Sequence, residues 1–574
     1  MKFWMRFIII NRINGLQIQF ARIYSFRVKM AVIARRFLPR SSGLRKAEPK
    51  QSRSFQRIAS LRNARNDITN QLKTSIKAAK RFCFLPLIIK SAKIRATRVF
   101  CVQSRFLSLL LLFSFFLFTV APSPNPGDKY DPTTLVFPTF LHTYGVRKAT
   151  AKHLFLYMQN RVKVRDPQGI AATRLEVWDN PKETKDDDEI TVYGVNSGQD
   201  AIIYNTSMTG ITVYGLNEKG EKRLSRPRGI TAHRGGDVYL ADAGNNRVVH
   251  FFNPGRELKW VCALGSMSAP QDVAISADRT VFIADTGNNR VLVFREDQLI
   301  QSWDEAGKFS SPSAIAATDS TDGWSFHKDN SVAVVDMNGQ RLQKFTRDGR
   351  LLKTAKAAEF GKPNAKFMYA AIDYYSNVYV TDFNNHCVHK FDRELNYLTT
   401  FGRMGNDEKE FNEPRGIAIY KRFGQVLIDD RESAQYYWVG TDVLNLRASK
   451  HHPDSPANSS KENRGLLQLD YFLTEPSYVT LEILDTRGNA LAKPMDKTLR
   501  FSGPQQELFG GRWEPVSSWL AAPAGSDNQR RYDQNALQKM SPAPPGKYTL
   551  KLTVSATYSS YKYFAKTMEI TVEL

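Results

Sequence analysis

From residue 167 to residue 439, apolar positions come in short runs separated by Gly, Asn, Asp and Pro. Runs this short, bounded by turn-forming residues, predict β-strands joined by tight loops rather than helices. The clearest copy reads "RPRGITAHRGGDVYLADAGNNRVVHFF" from Arg226, and a second reads "APQDVAISADRTVFIADTGNNRVLVF" from Ala269. Each opens on Pro-x-Gly or a relaxed version of it. A short apolar strand, a polar turn, a second strand ending in Asp, a tight loop and a third strand follow.

Four further segments obey the same grammar: "SPSAIAA" with "VAVVDMNGQRLQKF", "FMYAAIDYYSNVYVTDFNNHCVHKF", "EPRGIAIYKRFGQVLIDDRESAQYYW", and a degraded first copy, "DPQGIAATRLEVWD". The second and third strands of that first copy are expected to resume after an acidic insertion, in "AIIYNTSMTGITVYG". The six units start near Pro167, Pro227, Pro270, Pro312, Met368 and Pro414, and their Asp positions are 43, 51, 46 and 48 residues apart from Asp242 to Asp430. A period in the forties built of short strands is the pattern of β-propeller blades. The segments "DAGNNRV" and "DTGNNRV", following "RPRGITA" and "PQDVAIS", resemble NHL repeats. The resemblance implies an all-β, six-bladed propeller over residues 151–447, closed by a strand from its N-terminal side, for which "HLFLYMQ" at His153–Gln159 is the candidate.

Asp242, Asp285, Asp336, Asp382 and Asp430 end second strands, and Arg247, Arg290 and Arg341 re-enter third strands; the matching position is Cys387 in the fifth unit and Gln435 in the sixth. These residues are expected to lock turns, because a strand-ending carboxylate can satisfy loop donors and the guanidinium can reach back to it. Function is expected at the channel mouth, where the residue after each leading Pro converges on the axis: Gln168, Arg228, Gln271, Ser313, Tyr369 and Arg415. Such a polar ring suits a hydrogen-bonded anionic or carbohydrate-like ligand, whereas ordinary loop residues on a wet rim are the plainer reading.

No metalloprotease, nucleophile-elbow or phosphate-loop motif is present. Histidines 233, 250, 327, 386 and 389 fall within the units but share no register, so no metal, cofactor or catalytic residue is assigned. The NHL resemblance also brings in metal-dependent lyases with histidines around the channel, which keeps an extracytoplasmic propeller lyase or hydrolase as the alternative to a non-enzymatic binder.

After residue 447 a polar, Pro- and Gly-bearing stretch (448–465) reads as a linker. Residues 466–574 then alternate apolar and polar positions, as expected for a small β-sandwich. "FLTEPSYVTLEILDTRGN", Trp513 and "PPGKYTLKL" resemble the Ig-like domain of flagellar hook-capping proteins; such a resemblance implies a spacer or adhesive module and no flagellar role.

The formal charge of +25 suggests a nucleic-acid partner until its distribution is read. Residues 1–105 hold 25 Lys and Arg against Glu48 and Asp67, and the remaining chain carries 56 basic and 54 acidic side chains. A nearly neutral body lacks the clustered cations that track phosphates, so nucleic acid is not an expected partner. The basic N-terminus has no sustained periodicity and is expected to be disordered.

Residues 106–121 contain "FLSLLLLFSFFLFTV", of signal-peptide length and short for a full span; cleaved signal and uncleaved membrane anchor both stand. Residues 1 to about 101 of the basic 1–105 segment are expected to be an extension ahead of a natural start near Val102, with a basic tail before an anchor as the other reading. Residues 122–150 read as an extracytoplasmic linker. The expectation is therefore a bacterial secreted, periplasmic or anchored protein that binds an extracytoplasmic protein, glycan or small polar ligand.

Overall fold

The structure, a computed structural model, describes residues 131–138, 147–158, 162–179, 190–206, 210–451, 465–515, 518–520, 530–532, 540–558 and 564–574. The basic N-terminus, the 106–121 segment and most of the 448–465 linker lie outside them. No helix among the described residues is long and apolar enough to cross a membrane.

Antiparallel sheets succeed one another along the chain. Sheet 1 is Pro167–Thr173, Thr191–Asn196, Ala201–Asn205 and Ile211–Tyr214; sheet 2 is Pro227–Ala232, Asp237–Asp242, Arg247–Phe252 and Lys259–Leu264. Sheet 3 is Asp272–Ile275, Val281–Asp285, Arg290–Arg295 and Gln298–Trp303, and sheet 4 is Ala314–Thr318, Ser331–Asp336, Arg341–Thr346 and Leu351–Lys356. Sheet 5 is Phe367–Ile372, Val378–Asp382, Cys387–Phe391 and Tyr397–Phe401; sheet 6 has Ile417–Tyr420, Gln425–Asp429 and Ser433–Val439. The first strand of each sheet neighbours that of the next, and that of sheet 6 neighbours that of sheet 1. The meander of four-stranded sheets is that of a β-propeller.

Burial follows from this stacking. Tyr193, Val195 and Ile202 of sheet 1 share one apolar cluster with Leu240, Val249 and Phe251 of sheet 2, and Ala333, Val335 and Leu342 of sheet 4 share another with Phe367, Val380 and Phe391 of sheet 5. A sheet covered on both faces needs nearly continuous apolar strands, which is why "VYLA" and "VFIA" do not alternate.

Three expectations change. In the first unit, "AIIYN" and "ITVY" are the third and fourth strands, because the second, Thr191–Asn196, directly follows the acidic insertion. The strands completing sheet 6 are Leu135–Val136 and Lys148–Thr150, both paired with Ser433–Val439, so the 122–150 segment is partly propeller. His153–Gln159 does not supply that strand: Ala151–Met158 is a helix (α1) in which only Met158 is buried. Ala, Lys, Leu and Met are strong helix formers, and Leu135–Val136 and Lys148–Thr150 already occupy the edge of Ser433–Val439.

The C-terminal strands make two packed sheets. One is Val443–His451, Leu466–Leu473 and Gly503–Phe509; the other is Ala490–Arg500, Ser477–Leu484, Lys547–Ala556 and Ala565–Glu573. They enclose Leu467, Leu469, Tyr471, Val479, Leu481, Phe509, Leu550 and Leu552. The sandwich therefore starts at Val443, inside the segment assigned to propeller and linker. It docks on the propeller through polar contacts as well as apolar ones. The Lys390 ammonium meets the Glu475 carboxylate, Asn377 Nδ2 donates to Glu475 Oε2 at 3.1 Å, and Tyr374 stacks on Tyr558 at 4.4 Å. Cys262 and Cys387 are free thiols.

Candidate functional site

The residue before each leading proline adopts a left-handed backbone: φ is +49° at Asp166, +44° at Arg226, +45° at Ala269, +58° at Ser311 and +57° at Glu413. For non-glycine residues that conformation persists only when neighbours hold it. The tight loop of the preceding sheet does so. Arg226 N donates to Asp200 Oδ1 at 2.7 Å, Ala269 N to Asn246 Oδ1 at 2.8 Å, Ser311 N to Asn289 Oδ1 at 2.7 Å, and Glu413 N to His386 Nδ1 at 3.0 Å. The last residue of each "GNN"-type loop thus fixes the next sheet's leading turn.

The strand-ending carboxylates act within their own sheets. Asp242 Oδ1 accepts from Ser225 N at 2.7 Å, and its Oδ2 accepts from Asn245 Nδ2 and Arg247 Nε, each at 2.8 Å. Asp285 repeats this with Ser268 N and Arg290 Nε, both at 2.7 Å, and Asp336 with Ser310 N and Arg341. Asp382 accepts from Lys366 N at 3.0 Å, and Asp430 from Asn412 N at 3.1 Å. Where sheet 5 has Cys387 in place of arginine, His389 Nε2 approaches Asp382 Oδ2 at 3.0 Å from the same strand.

At the mouth, four of the six predicted residues converge, and the centre is a residue the sequence did not single out. Asp166 receives Gln168 Nε2 at 2.9 Å, meets an Arg415 guanidinium nitrogen, and lies 3.8 Å from Arg228 Nη1. Arg415 Nη1 also donates to the Pro167 carbonyl at 2.8 Å, which ties sheet 6 to sheet 1. Gln168 and Tyr369 are buried, and the Tyr369 hydroxyl reaches Gln168 Oε1 at 3.5 Å. Gln271 stays local, with Nε2 3.2 Å from the Ala269 carbonyl. Ser313 Oγ and Arg415 Nε are buried without a hydrogen-bond partner.

Two buried carboxyls lie beneath. Asp272 occupies the position that is glycine in Pro-Arg-Gly, a departure visible in "PQDVAIS". Its Oδ2 accepts from Ile315 N at 2.9 Å, while burial pushes its pKa up to about 8. Burial likewise pushes Asp429 well above the usual carboxylate range. A raised carboxyl pKa favours the neutral form in the folded state, so the associated stability is present below the unfolded value near 3.8 and is lost as pH rises through about 8. Asp272→Asn keeps the acceptor and removes the titration. Urea unfolding is expected to show the wild type losing on the order of 2–4 kcal/mol more than Asp272→Asn between pH 5 and pH 9.

The channel below is a cavity of about 230 Å³ whose wall mixes small aliphatic residues such as Ala171, Ile230, Ala274 and Ile417 with Thr231 and Thr318. His233 stands at the far end, with Nε2 3.2 Å from the Ala277 carbonyl, and burial pulls its pKa below the usual value. Charged pairs gather at that end too: Arg422 with Asp179 at 2.7 Å and Lys421 with Asp322 at 2.9 Å.

Residues 224–251 and 267–294, which fall in sheets 2 and 3, match the NHL repeat family model. Protein brain tumor of Drosophila melanogaster is 24% identical over 153 residues, which are 25% of this chain and 14% of that protein's length. Among solved structures, virginiamycin B lyase from Staphylococcus aureus is 15% identical over 43% of this chain and 77% of its own, with a TM-score of 0.33. A gluconolactonase from Xanthomonas campestris is 11% identical over 54% of this chain and 99% of its own, with a TM-score of 0.34. A nidogen/laminin complex chain is 14% identical over 44% of this chain and 85% of its own, with a TM-score of 0.33.

Proposed function

We propose that the chain is a non-enzymatic binding or scaffold protein, exported or held at a bacterial cell envelope. In this reading the six sheets form a closed ring of blades, and the mouth around Asp166 binds an extracytoplasmic protein loop, glycan or small polar ligand. The C-terminal sandwich, Ig-like in this reading, spaces or docks the propeller.

One observation carries the reading: buried hydrogen-bond donors without a partner occur at the mouth, above a channel with much Ala and Ile in its wall. Arg228 is partly exposed, with Asp166 at 3.8 Å, and at two other mouth positions the buried Arg415 Nε and Ser313 Oγ have no hydrogen-bond partner. A ligand acceptor entering there meets unused donors, and an unused buried donor is costly until it is filled. Much of the wall below is Ala and Ile, which fit a shape, while its titratable residues include Asp272 beneath the mouth and His233, Asp322 and Lys421 at the far end, the last two paired with each other.

The test is calorimetric titration of the full chain with a panel of oligosaccharides and short neutral and acidic peptides. A ligand that binds the wild type is expected to bind Arg228→Ala about tenfold or more weakly, with melting temperature unchanged. Arg228 suits this test because Arg415 also joins sheets 6 and 1. Equal affinity for wild type, Arg228→Ala and Gln271→Ala would remove the mouth from the reading, and turnover of a panel member would replace binding by catalysis.

A further inference from the structure

A second cluster lies on the rim of sheet 2, away from the channel, and does not depend on the binding reading. His250 on the third strand and Cys262 on the fourth are directly paired across the sheet, although twelve residues apart in sequence. Asp297 comes from sheet 3, in the two-residue turn Glu296–Asp297, where both residues have positive φ (+50° and +60°). That turn aims its carboxylate at the sheet 2 pair. Asp297 Oδ2 lies 2.8 Å from His250 Nδ1 and 3.5 Å from Cys262 Sγ, and the three donor atoms lie within 4.8 Å of one another.

We propose that His250 Nδ1, Cys262 Sγ and Asp297 Oδ2 form a binding site for zinc or a similar borderline divalent cation, bridging sheets 2 and 3. Zinc takes imidazole, thiolate and carboxylate together, at about 2.0 Å to nitrogen or oxygen and about 2.3 Å to sulfur. Tetrahedral angles then separate the ligand atoms by roughly 3.3–3.5 Å. The sulfur–oxygen separation already has that value, and the nitrogen–oxygen separation needs only about half an ångström more.

The surroundings are those of a built site. Metal-bound imidazoles regularly give their other N–H to a carboxylate, and His250 Nε2 lies 3.3 Å from Asp237 Oδ1. Asp237 is itself 3.5 Å from Arg279 Nε. The Tyr239 hydroxyl donates to Asp297 Oδ1 at 2.8 Å, and its ring stacks on the imidazole at 4.3 Å, which fixes carboxylate and ring together. Cys262 and Asp297 are only partly buried, so an ion has access and water can complete the coordination.

The other sheets argue against a plain ion-pair joint. The residues matching His250 are Val293 in sheet 3, Lys344 in sheet 4 and Lys390 in sheet 5, and opposite them stand Gln301, Lys353 and Thr399. Lys344 and Lys390 do face acids, Asp329 at the edge of the same sheet and Glu475 of the sandwich, so an ion pair at this position needs only a cation and a carboxylate. A thiol adds nothing to such a joint, and among these positions only sheet 2 supplies one. On binding, the metal displaces the thiol proton of Cys262 and the proton shared by His250 and Asp297, and both go to solvent.

The test uses the reduced full chain, stripped with a chelator and titrated with Zn²⁺ and Co²⁺. The expected result is one equivalent bound, a thiolate-to-cobalt charge-transfer absorption in the near ultraviolet, and a melting temperature raised by zinc. Cys262→Ser and His250→Gln should each abolish that absorption and weaken zinc at least about tenfold. Asp237→Asn should weaken zinc about tenfold while keeping the absorption, and Cys387→Ser, in the buried sheet 5 cluster, should change neither. Circular dichroism of each stripped variant separates loss of the site from loss of fold. No stoichiometric uptake by the wild type, or uptake and absorption unchanged in Cys262→Ser, would overturn the assignment.

Discussion

Gly229→Ala is expected to destabilise the protein by about 3 kcal/mol or more and lower its melting temperature by roughly 5–10 °C. Gly229 is the glycine of "RPRGITA", and the reason lies in the approach of neighbouring innermost strands. A Cβ at Gly229 would stand 2.0 Å from Asp272 Oδ1 and 2.6 Å from the Asp272 Cα. The side-chain atom could swing away, but the backbone atom could not without widening the channel. The same contact recurs around the axis: a Cβ at Gly169 would meet the Gly229 Cα at 2.8 Å, and one at Gly416 would meet the Gln168 carbonyl at 2.6 Å. Gly265→Ala is the control, because nothing lies within 4 Å of the added carbon. Thermal melts of the two variants beside the wild type decide the point, and a Gly229→Ala protein as stable as Gly265→Ala would mean that the strands are not held this close.

Lys390→Met should cost about 3–5 kcal/mol, and Lys390→Met/Glu475→Leu should recover most of it. Lys390 and Glu475 face each other with side chains only 2% and 0% exposed, and Glu475 Oε1 has no partner. Two charges withdrawn from water gain little net stability from each other, but removing one leaves the other buried alone. Burial already pushes Glu475 up to about 8 despite the neighbouring ammonium. Because that pKa is raised, the stability linked to Glu475 is full below its unfolded value near 4.5 and is lost as pH rises through about 8. Without the lysine the loss should steepen, so Lys390→Met should be least harmful near pH 5 and most harmful near pH 9. Denaturant midpoints at the two pH values measure this. A double variant as unstable as the single one would show the pair to be a net stabiliser of the docked sandwich.

Much of the propeller was legible because its turns repeat. Strand-ending Asp and the "GNN" loop mark hairpins wherever they occur, and each copy supports the others. Short or unrepeated elements were not legible in this way. Leu135–Val136 is too short to carry a pattern, and α1 was read as a strand because its apolar run gives no period over eight residues. The start of the sandwich at Val443 was hidden because "VLNLRASKH" continues the polarity of the linker.

At the mouth, the residues after each proline were found by register, but their engagement was not, since Asp166 precedes the motif and works only once sheets 6 and 1 meet. Asp272 did leave a signal, an acid where the first, second and sixth units have Gly169, Gly229 and Gly416. The His250, Cys262 and Asp297 group left none, because it joins two strands of one sheet to the turn of another.

Leu135 pairs with Val439, so the last sheet is completed by a partner synthesised about 300 residues earlier. At roughly 5–20 residues per second, a ribosome needs about 15 s to a minute to deliver it. Throughout that interval the early strand has no mate, and a pairing so distant along the chain is slow to find even after release. The ring can therefore assemble sheet by sheet as it emerges but can be sealed only at the end. Handling by chaperones, and losses to proteases or to mispairing between chains, should concentrate on that unsealed seam.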